Sequence, residues 1–451
     1  MQRRILVLNA GSSSLKYALY NATGRKIKDV AASGVIEQIG QPNQKIKHNY
    51  FKDGVKKKHE TLNSVTDTDT KGESTSTGLT FDGAFKTCLR LLKDTIPPQQ
   101  HNDSSTPSSG LVIHGVGHRV VHGGESMSAS RLINHNVLEA IKRATPLAPL
   151  HNPANLMGIE TAMEMLPAPH CQHVAVFDTA FHATIPPHAF HYALPMDLYA
   201  EHGIRKYGFH GTSYQYVLEE SARVLNKRVE SMNIIVCHLG AGSSVCCIKN
   251  GKSIDTSMGL TPLEGLVMAT RSGDVDPSVV FYLMDELGFT KDEAREYLNK
   301  KSGWFGLSGF TDAREIERRA EEGDASCELT RQVMVHRIRK YLGAYMLNLG
   351  GGKLDAIVFT AGLGENWPSL RELCMRDLEG FGIELDREKN TNLEKALGVG
   401  GEALADEAGC NDVSTFLSQV RILVIDTDEE KHISKQVLQI VDDGGDDIKG
   451  A

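Results

Sequence analysis

The chain has 451 residues, 40% of them hydrophobic and 24% charged, with a formal net charge of -8 and eight cysteines. The composition excludes disorder over most of the length, and the length predicts two or three domains. The acidic balance excludes electrostatic attraction to nucleic acid or an anionic membrane. No apolar stretch approaches the roughly 18 residues of a membrane helix, and the cysteines lack metal or CxxC spacing, so we expect a cytoplasmic protein with reduced thiols.

The first predicted elements form a β-hairpin. Residues 5–20 read ILVLNAGSSSLKYALY, in which two apolar runs flank a Gly/Ser turn. Small turn residues let backbone N–H groups approach a phosphate, and Lys16 would supply charge. Residues 234–251 read IIVCHLGAGSSVCCIKNG and repeat the pattern. A shared Ala-Gly-Ser-Ser is weak alone, but its placement predicts a duplicated fold whose turns face each other across a cleft.

A polar insert of about 40–110 follows the first hairpin. Residues 52–80 and 97–110 are rich in Ser, Thr, Asp and Lys, so long surface loops are predicted there. Between them, apolar residues near helical spacing predict a helix over 81–92. The insert is assigned no catalytic role.

From residue 110 onward, strands alternate with helices, which indicates an α/β fold. Strands are predicted over 111–122, 173–177, 234–248, 355–360 and 421–426. Helices are predicted over 136–143, 154–166, 213–226, 277–287, 291–300, 326–349 and 428–441.

Two arginines stand beside glycine-containing turns. Arg119 ends an apolar strand, and Arg271 lies in the segment ATRSGDVDP. An arginine fork binds carboxylate or phosphate oxygens bidentately, so two such groups would neutralise a transferring phosphoryl group. For any single arginine, a surface ion pair is the commoner role.

Three further segments offer polar groups at strand ends or between glycines. Asp178 directly follows an apolar strand, where α/β proteins place functional groups. His210 has glycines nearby on both sides, which leaves its ring accessible, and Thr212 or Ser213 is expected to cap the next helix. Residues 357–366 run from a buried strand into a Gly-x-Gly turn, a weak signal for nucleotide binding.

Eight segments together resemble the acetate kinase family. In order they read NAGSSSLK, GHRVVHGG, FDTAFH, YGFHGTS, HLGAGSS, ATRSGDVDP, FTAGLGEN and TDEE. The resemblance covers nearly the whole chain apart from the polar insert, and eight ordered blocks are far more specific than one. It implies the two-domain, duplicated actin-like ATPase fold of acetate and sugar kinases, Hsc70 and actin, with a central cleft.

The resemblance also implies domains and an activity. An N-terminal α/β domain would span 1–182, completed by a helix over about 431–451, and a nucleotide-binding and dimerisation domain would span 183–430. The implied activity is reversible in-line transfer of the γ-phosphoryl group of ATP to acetate, giving acetyl phosphate and ADP. This phosphotransferase would use Mg²⁺, or Mn²⁺ in its place, and would be a cytoplasmic homodimer without nucleic-acid or membrane partners.

Residue roles follow from position within the matched segments. Asp178, Arg119, His210 and Arg271 would be catalytic, with the arginines flanking the phosphoryl group and His210 donating a hydrogen bond to it. Acetate would meet Arg119 and an apolar pocket of Val121, Leu150, Phe209 and Pro262, and the metal would meet Asn9 and Glu429. The nucleotide would contact Ser12, Ser14, Lys16, His238, Leu239, Gly240, Ala241, Gly242, Asp312, Ala313, Arg314, Gly362, Leu363, Gly364, Glu365 and Asn366.

The acceptor's acidity limits the role of Asp178. A carboxylic acid with a pKa of roughly 4 to 5 is already ionised at neutral pH, so phosphorylation of acetate needs no general base. We therefore expect Asp178 to orient Mg²⁺, an arginine or the nucleophile.

One motif departs from the family, which usually reads HLGNGSS where this chain has Ala241. The lost amide leaves the phosphoryl donor, ATP or pyrophosphate, open, and the acyl preference among acetate, propionate and butyrate is also open. The alternative from another class is a nucleotide-gated binding module like Hsc70 or actin, which would not require Arg119, Arg271 and His210 together.

Overall fold

The computed structural model describes residues 2–11, 13–41, 43–52, 55–63, 79–97, 111–149, 151–350, 353–393 and 410–442. The chain divides into two compact units. Unit 1 comprises Met1–Ala180 with Asp428–Ala451, and unit 2 comprises Phe181–Thr427. Within the described ranges, no helix has the length and apolar character needed to cross a membrane.

Unit 1 is built on one eight-stranded sheet. Its strands are β1 (Gln2–Ala10), β2 (Ser14–Thr23), β3 (Lys26–Glu37), β4 (Gln44–Lys52), β5 (Val55–Asn63), β6 (Gly115–Val120), β7 (Arg131–Leu132) and β8 (Gln172–Phe177). Their order is β5-β4-β3-β2-β1-β6-β8-β7. Strands β1, β6 and β8 are parallel, whereas β1 to β5 form an antiparallel meander.

Helices cover both faces of this sheet. They are α1 (Phe81–Thr95), α2 (His135–Arg143), α3 (Asn152–Met165) and the C-terminal helix α15 (Glu429–Asp442). Alternate residues of β1 point to opposite cores, since Leu6 packs with α1 and α3 whereas Ile5 packs with α15. A Cβ at Gly117 would lie 2.6 Å from Ile433, so glycine permits the close approach of α15 to β6.

The C-terminal helix α15 belongs to unit 1. Unit 2 ends at Thr427, and Glu429 is the first residue of α15. The apolar face of α15 is buried against β1 and β6.

The polar insert contains more regular structure than the sequence suggests. The helix predicted over 81–92 is confirmed as α1, whose buried face includes Phe85 and Leu92. The prediction of a loop throughout 52–80 is wrong, because 55–63 form the edge strand β5, paired with β4. An edge strand needs no apolar pattern, and lysines at an edge discourage pairing with other chains. Residues 64–78 and 98–110 lie outside the described part of the chain.

Unit 2 is built on a six-stranded sheet. Its strands are β9 (Ile234–Leu239), β10 (Ser243–Lys249), β11 (Lys252–Thr256), β12 (Ala356–Thr360), β13 (Cys410–Asp412) and β14 (Arg421–Ile425). Their order is β11-β10-β9-β12-β14-β13, in which β9, β12 and β14 are parallel. Its helices are α4 (Pro187–Phe190), α5 (Met196–His202), α6 (Gly211–Val224), α7 (Ser278–Asp285), α8 (Lys291–Lys300), α9 (Gly303–Ser308), α10 (Ala313–Glu321), α11 (Ala325–Asn348), α12 (Ala361–Asn366), α13 (Pro368–Met375) and α14 (Arg387–Thr391).

The two sheets repeat one topology. The order β3-β2-β1-β6-β8 in unit 1 corresponds to β11-β10-β9-β12-β14 in unit 2. In each unit, three antiparallel strands are followed by two strands that are parallel to β1 in unit 1 or to β9 in unit 2. In each unit, a Gly/Ser turn joins the first strand to its antiparallel neighbour. The predicted α/β class and duplicated hairpins are therefore confirmed.

Candidate active site

In unit 1, the candidate residues lie at the carboxyl ends of β1, β6 and β8. The ends of neighbouring parallel strands lie at one edge of a sheet, where open α/β folds place their ligands. Asn9 is opposite Lys16 in the first hairpin, and the turn is closed by a 2.8 Å bond from Gly11 N to Ser14 O. A Cβ on Gly11 would lie 2.9 Å from Ser14 Oγ, so a glycine suits this turn.

Arg119 is held by Asp178 from the adjacent strand. Arg119 Nη2 donates to Asp178 Oδ2 at 2.7 Å, and Arg119 Nε donates to both carboxylate oxygens at 3.0 and 3.1 Å. Asp178 is 1% exposed. Burial alone would lower the pKa of Arg119, but the charges of Asp178 and Glu429 outweigh it and raise the pKa. Of the roles left open for Asp178, orienting an arginine is the one this geometry displays.

Glu429 approaches the same guanidinium from α15. Its Oε2 lies 3.6 Å from Arg119 Nε. Burial raises the pKa of Glu429 to about 7, an effect that Arg119 opposes and Asp178 reinforces. Two carboxylates thus share one arginine, which leaves negative charge that a further cation would stabilise.

This donor set fits Mg²⁺. Among the described residues, no cluster of three or more His, Cys, Asp or Glu side chains forms a metal cage. Mg²⁺ does not need one, because it is commonly held by one or two carboxylates together with water and substrate phosphates. Glu429, at the carboxyl edge that also carries Asn9, meets that requirement.

A buried asparagine of α3 ties two candidate segments together. Asn155 is 3% exposed, and its Nδ2 donates to Ala10 O at 2.7 Å while its Oδ1 accepts from Val121 N at 3.1 Å. It therefore fixes the end of β1 relative to Val121 of the predicted methyl pocket. Ser12 and Leu150, also predicted to be in the site, lie outside the described residues.

In unit 2, the turn between β9 and β10 lies beside His210 and Arg271. A Cβ built on Gly242 would be 3.6 Å from His210 Nε2 and 3.9 Å from Arg271 Nη1. The backbone of Ala241 accepts a 3.1 Å bond from Ala269 N, which ties the turn to the Arg271 segment. Three segments that are far apart in the sequence thus meet within unit 2.

His210 is oriented by a serine and a tyrosine. Its Nδ1 lies 2.8 Å from Ser244 Oγ, and Ser244 Oγ lies 2.5 Å from the hydroxyl of Tyr214. Burial raises the pKa of Tyr214, so the phenol keeps its proton. If the phenol donates to Ser244, the serine donates to Nδ1, and the ring proton resides on Nε2, the nitrogen nearest Gly242.

Two neighbouring features complete the surroundings of His210. Its ring stacks on that of His238 at a centroid distance of 4.0 Å. The prediction that Thr212 or Ser213 caps the next helix is wrong, since His210 itself, at φ 59°, is the N-cap residue of α6. Ser213 Oγ instead bonds His238 Nδ1 at 2.8 Å, because the side chain faces β9 rather than the open end of the helix.

Arg271 is a half-buried cation. Among the described residues, no carboxylate lies within salt-bridge distance of it, and burial lowers its pKa. Its Nη1 donates to Pro262 O at 3.2 Å. A desolvated guanidinium without an acidic partner favours binding of an anion. Phe209, also predicted to contact acetate, is 2% exposed.

A cavity of about 650 Å³ in unit 2 joins the predicted nucleotide segments. It is lined by Ala241, Trp304, Thr311, Asp312, Ala313, Arg314, Glu317, Gly362, Leu363, Asn366 and Trp367. Its volume lies within the range of ligand pockets. Seven of the predicted nucleotide contacts are therefore brought together here.

The remaining predicted nucleotide residues have other surroundings. Leu239 is 1% exposed in the core, so its side chain faces away from the turn. The predicted Gly-x-Gly turn is wrong, because 361–366 form the short helix α12. Within it, Gly364 O accepts from the buried Arg371 at 2.7 Å, and Glu365 Oε1 accepts from Thr427 N at 3.0 Å.

Sequence reasoning missed three polar residues that hold the site. Asn155, Tyr214 and Ser244 are all buried and hydrogen-bonded to site segments. The available signal was a polar residue within a run otherwise suited to burial, since buried polar groups are retained where they are hydrogen-bonded.

Comparison with known proteins identifies a common family. The model of the acetokinase family matches residues 4–435. The acetate kinase of Thermotoga maritima is 43% identical over 97% of this chain and 99% of that protein. Among solved structures, a Porphyromonas gingivalis acetate kinase aligns with a TM-score of 0.78 at 37% identity over 97% of this chain and 100% of that one. A Francisella tularensis propionate kinase aligns with a TM-score of 0.80 at 37% identity over 97% and 99%.

Proposed function

The chain belongs to the acetokinase family, and from this membership we propose that it transfers the γ-phosphoryl group of ATP reversibly to acetate. The products would be acetyl phosphate and ADP. The observation that carries the chemistry is the arrangement in unit 2, where His210 and Arg271 adjoin one Gly/Ser turn. Within the described part of the chain, Arg271 has no acidic partner, and burial lowers its pKa. This arrangement suits a phosphoryl group whose negative charge is spread over its equatorial oxygens during transfer.

The reaction itself is an in-line displacement at phosphorus. A carboxylate oxygen of acetate forms the new P–O bond as the bond to the β-phosphate oxygen breaks, and ADP leaves. In phosphoryl transfer, catalysis is mainly positioning and charge stabilisation. Arg271 and Arg119 would stabilise the equatorial oxygens, and His210 would donate from Nε2.

Asp178 acts on Arg119 in this scheme. Three short contacts fix the guanidinium plane, so little reorganisation remains for the transition state. Asp178 need not accept a proton, because acetate is already ionised at neutral pH.

We assign Mg²⁺ to Glu429 and Asn9. When bound, the ion would neutralise phosphate charge during transfer. The burial that raises the pKa of Glu429 to about 7 makes a nearby cation favourable, because it stabilises the ionised carboxylate.

We assign the nucleotide to the unit 2 cavity, with Ser14 and Lys16 near its phosphates. Asp312 and Arg314 form a bidentate pair at 2.7 and 3.0 Å beside this cavity. Ala241 lines it with a methyl group where an asparagine would present an amide, so the choice of phosphoryl donor needs its own measurement.

An assay for acetyl phosphate tests the assignment. Initial rates should be highest with ATP, Mg²⁺ and acetate, lower with propionate, and lowest with butyrate or with pyrophosphate as donor. A preference for propionate or butyrate would refute the acetate assignment, and a preference for pyrophosphate would refute the ATP assignment. Absence of transfer with every donor and acid would favour the nucleotide-gated binding module.

Two further properties are proposed from the family resemblance alone. These are homodimerisation through unit 2 and a cytoplasmic location, where ATP is available and thiols stay reduced. Sedimentation analysis tests the first, and cell fractionation tests the second.

A further inference from the structure

The loop that carries Pro262 is fastened on both sides by one tyrosine. The hydroxyl of Tyr192 accepts a hydrogen bond from Leu260 N at 2.8 Å and donates one to Glu264 Oε2 at 2.5 Å. Leu260 and Glu264 each lie two residues from Pro262. The hydroxyl of Tyr192 is therefore hydrogen-bonded to both ends of the loop 260–264 and restrains it.

The surroundings of this contact leave it little freedom. A Cβ on Gly259 would lie 2.2 Å from the Tyr192 hydroxyl and 1.7 Å from Glu264 Oε2, so only glycine fits there. Lys206 Nζ lies 3.7 Å from Glu264 Oε1 and donates to Thr256 O at 2.8 Å. The carboxylate thus has a cation on one oxygen and the phenol on the other.

The loop is also fastened just beyond Glu264. Gly265 N donates to Asp274 Oδ1 at 2.7 Å, and Asp274 N donates back to Gly265 O at 3.0 Å. Arg337 of α11 donates to Gly265 O at 2.8 Å. With this end fixed, the rest of the loop is held by the contacts of Tyr192 with Leu260 and Glu264 and by the bond from Arg271 to Pro262 O.

We propose that Tyr192 and Glu264 are positioning residues that set the acyl-chain length this enzyme accepts, by holding the Pro262 loop in place. The inference rests on the proposed function, in which Pro262 forms a wall of the acyl pocket. An apolar pocket discriminates between acids that differ by one methylene, such as acetate and propionate, by only about 1–3 kcal/mol. If Pro262 can move slightly, much of that discrimination is lost. Because Pro262 O also accepts from Arg271, loosening the loop should affect the acyl acid and the transferring phosphoryl group, and it should affect the nucleotide least.

The test is Tyr192→Phe, which removes both hydrogen bonds and keeps the ring. We expect kcat/KM for propionate relative to acetate to rise about 5- to 10-fold, part of the discrimination available for one methylene, with KM for ATP unchanged. Glu264→Gln, which keeps an acceptor but weakens the contact, should shift the ratio in the same direction by less. Tyr297→Phe, at an exposed tyrosine of α8, is the matched control and should leave the ratio unchanged.

Hydrogen–deuterium exchange gives a readout independent of activity. The amide of Leu260 should exchange faster in Tyr192→Phe, while peptides from β9 and β12 keep their protection. An unchanged acid ratio overturns the inference, whether or not exchange rises. If the unaltered enzyme phosphorylates neither acid, the proposed function is refuted. If the unaltered enzyme is active but the variants leave the ratio of kcat/KM for propionate and acetate unchanged, only the role of the loop is refuted.

Discussion

The pair of Arg119 and Asp178 offers the most direct test of how the site works. Arg119→Ala removes a guanidinium that we place on the transferring group, and deletion of such a donor costs about 2–4 kcal/mol. This corresponds to a roughly 30- to 900-fold loss in kcat/KM. Asp178→Asn keeps one acceptor, but its new NH₂ group faces a guanidinium N–H in place of the 2.7 Å contact.

Asp178→Asn should lower kcat/KM less than Arg119→Ala does. A hydrogen bond between charged groups contributes about 1.5–3 kcal/mol, so Asp178→Asn should reduce kcat/KM by about 10- to 150-fold. Stability should fall as well, because breaking a buried ion pair costs about 3–5 kcal/mol. The lower end applies, since Glu429 remains 3.6 Å from Arg119.

The double variant separates orientation from direct participation. If Asp178 acts through Arg119, then Arg119→Ala/Asp178→Asn should be no slower than Arg119→Ala alone, which gives a coupling energy of about 1.5–3 kcal/mol. Suppose instead that Asp178→Asn lowers kcat/KM by the same factor in the Arg119→Ala background as in the unaltered enzyme. Asp178 would then act on substrate or metal by itself, which would refute the orienting role. Lys142→Ala, which breaks an exposed ion pair with Glu139, is the control and should change neither activity nor stability by more than about 0.5 kcal/mol.

Three shorter predictions concern other residues. Arg271→Lys should lower kcat/KM by at least about 10-fold in the acetyl phosphate assay, because an ammonium cannot reproduce a planar fork; wild-type activity would contradict the role. Ser244→Ala should lower kcat by about 10-fold with little change in KM for ATP, since His210 loses the group that fixes its tautomer; an effect on KM alone would argue against this. Burial lowers the pKa of His48 to about 4 from 6.5, so the unfolded chain binds the proton first and stability is lost as pH falls from about 6.5 towards 4. His48→Gln should reduce the slope of the unfolding free energy against pH over that window by up to about 1.4 kcal/mol per pH unit. Urea titrations at several pH values measure this slope, and an unchanged slope would contradict the prediction.

Local patterns predicted much of the architecture because they depend on neighbours in the chain. Apolar periodicity located the helix at 291–300 with its observed bounds, and the repeated Gly/Ser turns revealed the duplication seen in both sheets. The same reasoning failed at β5, where an edge strand carries a polar sequence, and at 361–366, where two glycines lie in a short helix. Tertiary contacts stabilise both segments despite weak local preference.

By itself, the sequence determined the fold class, the family and the segments that carry the candidate chemistry, since ordered motifs and hydrophobic periodicity can be read along the chain. Only the tertiary structure decided which groups hold those segments: Asp178 on Arg119, Ser244 on His210, and Tyr192 on the loop of Pro262. These partners lie between 34 and 72 residues apart. Such contacts arise from packing of whole elements, which no local propensity encodes.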